Sequence, residues 1–490
     1  MTIIKTGLKI NIFPVVLGLK IPAVWILLAP VLVSGLISSC SGATGKQTAL
    51  GEANATPHTV EEEIVADKTG VSTTEIISSE LNSGGNASVK DYSFGYTYHR
   101  QDGNRYVSGR GSLPEAMVLD IPLGGRPEWL VAAPDRETSV WVVALEDGRI
   151  QAFAVLETGY RKIEVTPNSI QPGQPPALII EEGEPTILTA PGTRASPYSH
   201  PVMVDPQSGK LAFIETNGDL VFWEGGKETA RLEVNALPDG RLIMDGNGNI
   251  VLLSDPTGRY DHGVLGDELE AESVTLVTID PAPHILKKIS AGESAVFEGI
   301  APIWVDFKGD GEREIILTQS DRKIGARLVV YNRSGEQLAT GPAIGLGYRW
   351  RNQLGAAPTG IEGELEVVDV RTPHLTGVVE FFRWERDRLV LSGEIEGYTS
   401  HVIGSRNLDL GMLGDFDGEG NIEALLPNHE RSELGAVRRS PEGAWVVWKV
   451  PVGGVVSTNL AAATLEEGGI VVGVGRQDGV LRIWKAPGEN

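Results

Sequence analysis

Short apolar runs alternate with polar turns from Tyr92 to the end of the chain. Asp-Gly or Asn-Gly pairs lie between strand-like runs at four places: Asp147-Gly148, Asn217-Gly218, Asp239-Gly240 and Asp478-Gly479. These dipeptides supply the positive φ angles that two-residue hairpin turns require. Flanking runs such as "WVVALEDGRIQAF" are rich in the β-branched and aromatic residues that favour strands. The pattern predicts an all-β fold built from hairpins.

One hairpin unit recurs along the chain: a small apolar strand, a turn residue that is often aspartate, a polar turn and a second apolar strand. Seven copies are identified by their turn residues, Asp135, Asp205, Asp267, Asp306, Pro358, Asp415 and Thr464. Most of their spacings suit blades of four-stranded sheet, which need roughly 40–50 residues each. The repeat predicts a β-propeller of seven four-stranded antiparallel blades, with six or eight blades as alternatives. A β-sandwich pair or a solenoid is the alternative fold.

A ring of blades is commonly closed by pairing the two ends of the chain within one blade. The run "EAMVLDIPL" from Glu115 to Leu123 is the candidate to pair near the C-terminal run "GVLRIW". Such pairing would leave no long open sheet edge.

The N-terminal part of the chain has a different composition. Three lysines precede an apolar run over 21–37, and two serines then precede Cys40, which is the only cysteine of the chain. This order is that of an export signal, and it resembles the lipobox of bacterial lipoproteins, in which the cysteine is lipidated. An uncleaved apolar anchor is the alternative. We expect a signal peptide or anchor over 1–40, a flexible disordered tether over 41–91 and the propeller over 92–490.

The lipoprotein resemblance implies a membrane-anchored, extracytoplasmic protein, either periplasmic or at the cell surface. The chain carries 42 basic and 65 acidic side chains, a net charge of −23. Nucleic-acid binding requires a basic face, and attraction to anionic lipid requires a polybasic segment. The charge therefore argues against both nucleic acid and an electrostatic grip on a membrane surface.

The segment "DFDGEGNIE" crowds four carboxylates into one turn. Asp415, Asp417, Glu419 and Glu423 stand at positions 1, 3, 5 and 9, and Asn421 offers a backbone carbonyl. Uncompensated carboxylates repel one another, whereas calcium takes roughly 6–8 oxygen ligands in loose geometry. The turn predicts a structural calcium site. A solvated acidic turn without metal is the alternative.

A second segment, "DFKGDGEREIIL", repeats this pattern with Asp306, Asp310 and Glu314, but Lys308 replaces the second acid. Both segments resemble the FG-GAP or VCBS repeats of integrin-α-like β-propellers. The resemblance implies a propeller with calcium in blade loops. We expect the Lys308 ammonium to take the place of the cation, so this second loop is the weaker candidate for metal.

Alignment of the seven copies brings polar side chains into register five positions before the turn residue: His200, His262, Gln353 and Asn459. In propellers the first strand of each blade usually lines the central channel. These residues are therefore a candidate ligand site at the channel mouth, because concave sites with a few polar groups bind ligands. Hydrogen bonding between neighbouring blades is the alternative.

The chain lacks the sequence motifs of common catalytic sites: a phosphate-binding glycine loop, His-Glu-x-x-His and Gly-x-Ser-x-Gly. We therefore expect no enzymatic activity. The expected function is that of a tethered, calcium-stabilised propeller that binds a protein or glycan of the cell envelope. The alternatives are a polysaccharide-acting hydrolase or lyase on a propeller scaffold, and a structural subunit of an envelope assembly.

Overall fold

The computed structural model of the chain describes residues 91–97, 103–192, 194–245 and 247–487. The predicted signal or anchor over 1–40, with the predicted lipidation site Cys40, lies outside the described residues. The predicted tether over 41–91 lies outside them as well, except for Asp91. In the part of the chain that is described, no helix has the length and apolarity needed to cross a membrane.

Three N-terminal strands join sheets formed by distant parts of the chain: β1 (Tyr92–Tyr96), β2 (Tyr106–Arg110) and β3 (Met117–Pro122). The first meander of consecutive antiparallel strands is β4 (Pro127–Asp135), β5 (Thr138–Leu145), β6 (Ile150–Leu156) and β7 (Gly159–Ile163). A smaller sheet in the order β1-β8-β9 adds β8 (Ala177–Glu181) and β9 (Glu184–Ile187). The next meander is β10 (Val202–Asp205), β11 (Lys210–Ile214), β12 (Leu220–Glu224) and β13 (Lys227–Leu232).

Three further meanders are linked into one 12-stranded sheet by single residue pairs, one between Ala271 and Phe297 and one between Thr340 and Arg388. The first is β14 (Ile243–Met244), β15 (Asn249–Thr257), β16 (Glu270–Thr278) and β17 (His284–Ser290). The second is β18 (Ala295–Val305), β19 (Glu314–Asp321), β20 (Gly325–Tyr331) and β21 (Gln337–Thr340). The third is β22 (Arg351–Ala357), β23 (Glu366–Arg371), β24 (Val378–Glu385) and β25 (Arg388–Glu396).

The last two sheets each receive an N-terminal strand. One consists of β26 (Met412–Asp415), β27 (Glu423–Pro427), β28 (Glu433–Ser440) and β29 (Gly443–Pro451), and β2 pairs with β26 in parallel. The other consists of β30 (Val456–Thr464), β31 (Ile470–Arg476) and β32 (Val480–Lys485), and β3 pairs with β32. The predicted pairing of the two chain ends is confirmed: β3 and β32 are antiparallel from Met117↔Lys485 to Pro122↔Val480.

The predicted all-β hairpin architecture is confirmed. Among the described residues, the strands form seven antiparallel units of four strands, one of which gains the parallel strand β2, and the three-stranded sheet β1-β8-β9. Seven blades are not confirmed, because the three-stranded sheet is an additional unit that the repeat did not include. Its first strand comes from the N-terminal part of the chain, so no continuous repeat marks it in the sequence.

Six of the seven predicted turn residues end, or directly follow, the first strand of a unit: Asp135, Asp205, Asp306, Pro358, Asp415 and Thr464. The seventh, Asp267, was placed wrongly, since it lies in the connection from β15 to β16. The equivalent turn follows the two-residue strand β14 at Asp245. A strand of two residues is too short for the apolar pattern to reveal it.

Hairpins are confirmed at three of the four predicted places, where Gly148, Gly218 and Gly479 have φ angles of 82°, 86° and 76°. The connections are longer than the predicted two residues. The fourth prediction is wrong. Asp239 and Gly240 lie in the long connection from β13 to β14, and Gly240 does not have a positive φ angle.

The buried apolar side chains form layers between consecutive sheets. Phe222 and Leu252 belong to one layer between neighbouring meanders, and Phe381 and Leu413 belong to another. Trp141 of β5 and Ile483 of β32 share a layer that packs the first meander against the last sheet. The sheets therefore follow one another face to face in a closed, propeller-like ring.

The ring is also joined by side-chain hydrogen bonds at the first strands. The buried Asn459 amide on β30 accepts the Leu130 N–H at 3.0 Å and donates to the Leu130 carbonyl at 2.7 Å. It thereby ties the last sheet to β4 of the first meander, next to the layer that contains Trp141.

Asn459→Ala is expected to lower the free energy of unfolding by about 1–3 kcal/mol, because both backbone groups of Leu130 lose a buried partner. Urea denaturation measures this loss. Asn217→Ala is the matched control, since Asn217 is exposed and its side chain bonds only within its own turn. Equal losses in the two variants would contradict a role for Asn459 in ring closure.

Candidate functional site

The predicted calcium loop connects β26 to β27 and is held by backbone bonds to its own carboxylates. The Phe416 N–H donates to Glu423 Oε2 at 2.9 Å, and the Gly420 N–H donates to Asp415 Oδ2 at 3.0 Å. Gly420 has a φ angle of 85°, which a residue with a side chain adopts only with strain. The turn is therefore shaped by the positions of its acids and glycines.

Three of the five predicted ligands come together. One carboxylate oxygen each from Asp415, Asp417 and Glu423 lies within 4.8 Å of the others. Asp415 is 5% exposed, and its Oδ1 has no hydrogen-bond partner among the described residues. Glu419 is exposed and does not join this group of carboxylates, and Asn421 is exposed as well. Clustered oxygens with one unsatisfied buried atom fit a hard cation such as calcium.

A guanidinium already neutralises part of this cluster. Arg438 of β28 donates to Glu423 and, at 2.7 Å, to Asp417 Oδ2. Its other terminal nitrogen is 3.5 Å from Glu419. Burial raises the pKa of Glu423 to about 7, and the bonds from Arg438 oppose that rise. The sequence did not indicate Arg438, because it lies on a different strand.

The second predicted loop, between β18 and β19, has the expected internal cation. Lys308 Nζ lies 2.8 Å from Glu314 Oε1 and 2.9 Å from Asp310 Oδ2. The third predicted ligand, Asp306, accepts the backbone N–H groups of Gly309, Asp310 and Gly311. Lysine and aspartate thus satisfy this loop from within.

Two of the predicted channel-mouth residues bond neighbouring sheets. Gln353 donates to the Ala301 carbonyl at 3.1 Å and accepts from the Thr318 hydroxyl at 2.6 Å. Asn459 bonds Leu130 as described above, and both amides are buried. These bonds join equivalent positions of adjacent sheets. Gln353 and Asn459 therefore follow the alternative stated for the channel-mouth residues, which is hydrogen bonding between neighbouring sheets.

The two predicted histidines lie in different settings. His200 precedes β10, is 1% exposed and stacks on Tyr96 with ring centroids 5.3 Å apart. His262 lies in the β15–β16 connection, out of register with the other three, and its Nδ1 is 2.8 Å from Glu298 Oε1. The structure therefore does not place the four residues in one equivalent ring of positions.

A cluster that the sequence did not indicate lies at one end of the sheets. Trp350 packs against His374 and His401, with ring centroids 5.9 Å and 5.1 Å away. His374 Nε2 and His401 Nδ1 are 2.5 Å apart, and His401 Nε2 is 2.6 Å from the Ser405 carbonyl oxygen. The three rings come from three connections, so sequence spacing gives no sign of them.

The connections at this end touch one another. Consecutive antiparallel strands reverse direction, so the second connection of each meander lies at the same end as the connection to the next sheet. Gly345 N–H donates to the Ile324 carbonyl at 2.9 Å, and Gly404 N–H donates to the Val264 carbonyl at 2.8 Å. We call this end, formed by residues 258–269, 322–324, 341–350, 372–377 and 397–411, the loop face.

Large apolar side chains project from the loop face. Leu346 is 71% exposed, Leu375 70% and Ile403 67%, and Tyr348 and Ile324 are also exposed. Lys323 and Arg349 are exposed on the same face and form no ion pair among the described residues, and the acids Asp261 and Glu268 are exposed there too. The face thus combines apolar side chains with charges of both signs.

No protein-family model and no curated protein matches this chain. Solved structures similar to it include the WD40 β-propeller domain of Doa1, at 9% identity and a TM-score of 0.39 over 76% of this chain and 96% of that one. A chain of the mitotic checkpoint complex is 12% identical, with a TM-score of 0.37 over 75% and 94%. A chain of the crystal structure of BBS1N in complex with ARL6DN is 12% identical, with a TM-score of 0.39 over 76% of this chain and 97% of that one. These likenesses concern the fold alone.

The histidine pair predicts a pH dependence of folding. Burial lowers the pKa of His374 to about 4 and that of His401 to about 3. Histidine in an unfolded chain titrates near pH ~6.5. Between these values the unfolded chain binds more protons, so stability from the pair is present above pH ~6.5 and is lost as the pH falls towards 4.

His401→Gln should therefore be less stable than the wild type at pH 7, and this difference should shrink by more than about 1 kcal/mol by pH 4. Urea denaturation across this range measures it. His284→Gln, which removes an exposed imidazole from β17, controls for the loss of a ring. A difference that stays constant with pH would show that burial of the pair does not oppose its protonation.

Proposed function

We propose that this protein is a non-enzymatic interaction module whose loop face binds a partner protein. The observation that supports the proposal is the group of exposed side chains Leu346, Leu375 and Ile403 at one end of the ring. Exposed apolar side chains that lie together mark interaction sites more often than scattered ones do. A partner that covers them would remove this apolar surface from water.

The chemistry of the loop face selects the kind of partner. Lys323 and Arg349 stand beside the apolar side chains and lack ion pairs among the described residues. Such cations favour a protein surface that combines apolar anchors with acidic side chains. A net charge of −23 opposes close approach to an anionic membrane surface, and two cations add only about 1 kcal/mol each there.

The alternative of a polysaccharide hydrolase or lyase has less support. Such an enzyme needs two carboxylates with separated pKa values that a sugar chain can reach. Burial and the neighbouring Glu298 raise the pKa of Glu270, but the two residues are only 3% and 2% exposed. A polymer would not reach them in this arrangement.

The proposal also covers how the sheets are arranged and where the chain is held in the cell. We take the sheets as blades of one propeller, of which the three-stranded sheet is one. We also propose that the chain is held at a membrane through Cys40 or the apolar run before it and acts outside the cytoplasm. A permanent place in an envelope assembly would use the same loop face with a stoichiometric partner.

Calcium is proposed as a structural ligand of the loop between β26 and β27. Asp415, Asp417 and Glu423 would hold it, and the ion would neutralise their mutual repulsion. The loop lies at the opposite end of the sheets from the loop face, because it is the first connection of its sheet. The ion would therefore stiffen the ring and would not contact the partner.

The loop-face proposal predicts that Leu346→Glu, Leu375→Glu and Ile403→Glu together abolish capture of a stoichiometric partner from the native envelope. Ile361→Glu is the matched control, since Ile361 is 53% exposed in the connection from β22 to β23, at the other end of the sheets. Affinity capture with quantitative mass spectrometry compares the full-length variants. Equal recovery of every partner by the triple variant and the wild type would contradict the proposal.

The calcium proposal predicts that millimolar calcium raises the melting temperature of the full chain, because a ligand bound only by the folded state stabilises it. Asp417→Ala should abolish the shift, whereas Asp306→Ala in the loop with Lys308 should change it much less. Differential scanning fluorimetry with and without a chelator measures both. The absence of a shift in the wild type would contradict calcium binding.

A further inference from the structure

The two acidic loops share one backbone design. Phe307 N–H donates to Glu314 Oε2 at 3.0 Å, as Phe416 N–H does to Glu423 Oε2 at 2.9 Å. The acids that open the two loops also act alike. The carboxylate of Asp306 accepts the Gly311 N–H at 2.8 Å, as that of Asp415 accepts the Gly420 N–H at 3.0 Å. Each loop position can therefore be compared with its counterpart.

The loops differ in where their cation comes from. In the loop between β18 and β19 the third position is Lys308, which bonds Asp310 and Glu314. In the loop between β26 and β27 the third position is Asp417, and Arg438 reaches in from β28.

The strand registers identify the counterpart of Arg438. Ile315 pairs with Tyr331, and Ala424 pairs with Val437, so Asn332 holds the place of Arg438 in the meander of β18–β21. The Asn332 side chain bonds its own turn, at Ser334 and Glu336. In one loop, Lys308 at the third position faces the neutral Asn332 position. In the other loop, Asp417 at the third position faces the cation Arg438.

We infer that Arg438 is the resident counter-cation of the Asp415–Glu423 loop and that calcium enters the loop only by displacing it. The inference rests on the calcium site proposed above. Arg438 bonds oxygens of Asp417 and Glu423, the same carboxylates that a metal ion in this cluster would need. A guanidinium and a divalent ion cannot both occupy them, because their positive charges repel and their contacts coincide.

An exposed carboxylate near Arg438 can pair with its guanidinium after displacement. Glu419 stands 3.5 Å from Arg438, and its side chain is 68% exposed. Arg438 does not reach Asp415 Oδ1, so this buried oxygen of the cluster has no hydrogen-bond partner among the described residues. Rotation of Arg438 outward would keep its pairing with Glu419 and release Glu423 to the ion. Asp417 Oδ2 would keep the hydrogen bond from Trp448 Nε1 at 3.1 Å and lose the competing positive charge.

The test is calcium titration of full-length Arg438→Met, which keeps an apolar stem and removes the charge. Without calcium, this variant should melt below the wild type, because its carboxylates lose their counter-cation. With calcium, its apparent Kd should be at least about tenfold lower than that of the wild type. Isothermal titration calorimetry and scanning fluorimetry measure the two effects.

Two further variants keep the result interpretable. Arg438→Gln retains a hydrogen-bond donor without charge and replaces the methionine variant if that one does not fold. Lys308→Met removes the cation of the loop between β18 and β19, which lacks an acid at its third position. It should lose stability without an equal gain in calcium affinity.

The outcomes separate this inference from the calcium proposal itself. A wild type that shows no calcium shift, together with an Arg438→Met variant that binds calcium, contradicts the proposed resident calcium and supports displacement. An unchanged or weaker calcium affinity in both Arg438 variants overturns the inference, whether or not the wild type binds the ion.

Discussion

Ring closure is the constraint on which the remaining structure depends. A row of packed sheets would expose an apolar face on its first and last members. Here β3 completes the last sheet, and the layer that holds Trp141 and Ile483 packs that sheet against the first. Closure also fixes the first strands against one another, so polar side chains such as Asn459 and Gln353 are used to join sheets.

The two ends are built differently. At one end, the loops after β18 and β26 concentrate carboxylates and balance them with Lys308 and Arg438. The carboxylates of each loop pair with a cation from the same sheet, which suits a role in holding the ring. At the other end, the loop face exposes apolar side chains together with charges of both signs. The two ends thus differ in chemistry: paired charges at one and exposed apolar side chains at the other.

The sequence predicted features that depend on local chemistry. Hairpin turns at Gly148, Gly218 and Gly479 follow from dipeptides that favour positive φ angles, and ring closure followed from an apolar run near each chain end. It did not predict groups assembled from distant segments. Arg438 reaches the acidic loop from another strand, and Trp350, His374 and His401 meet across three connections. His262 was misaligned because the true first strand of its sheet has only two residues.

The central claim is that a partner protein covers the loop face. Site-specific photo-crosslinking tests it most directly, with a photoreactive residue at Leu375 of the full-length protein in its native envelope and, in parallel, at Ile361. The account predicts a discrete crosslinked adduct from position 375 and none from position 361. Adducts of equal yield at both positions, or an adduct from position 361 alone, would contradict it.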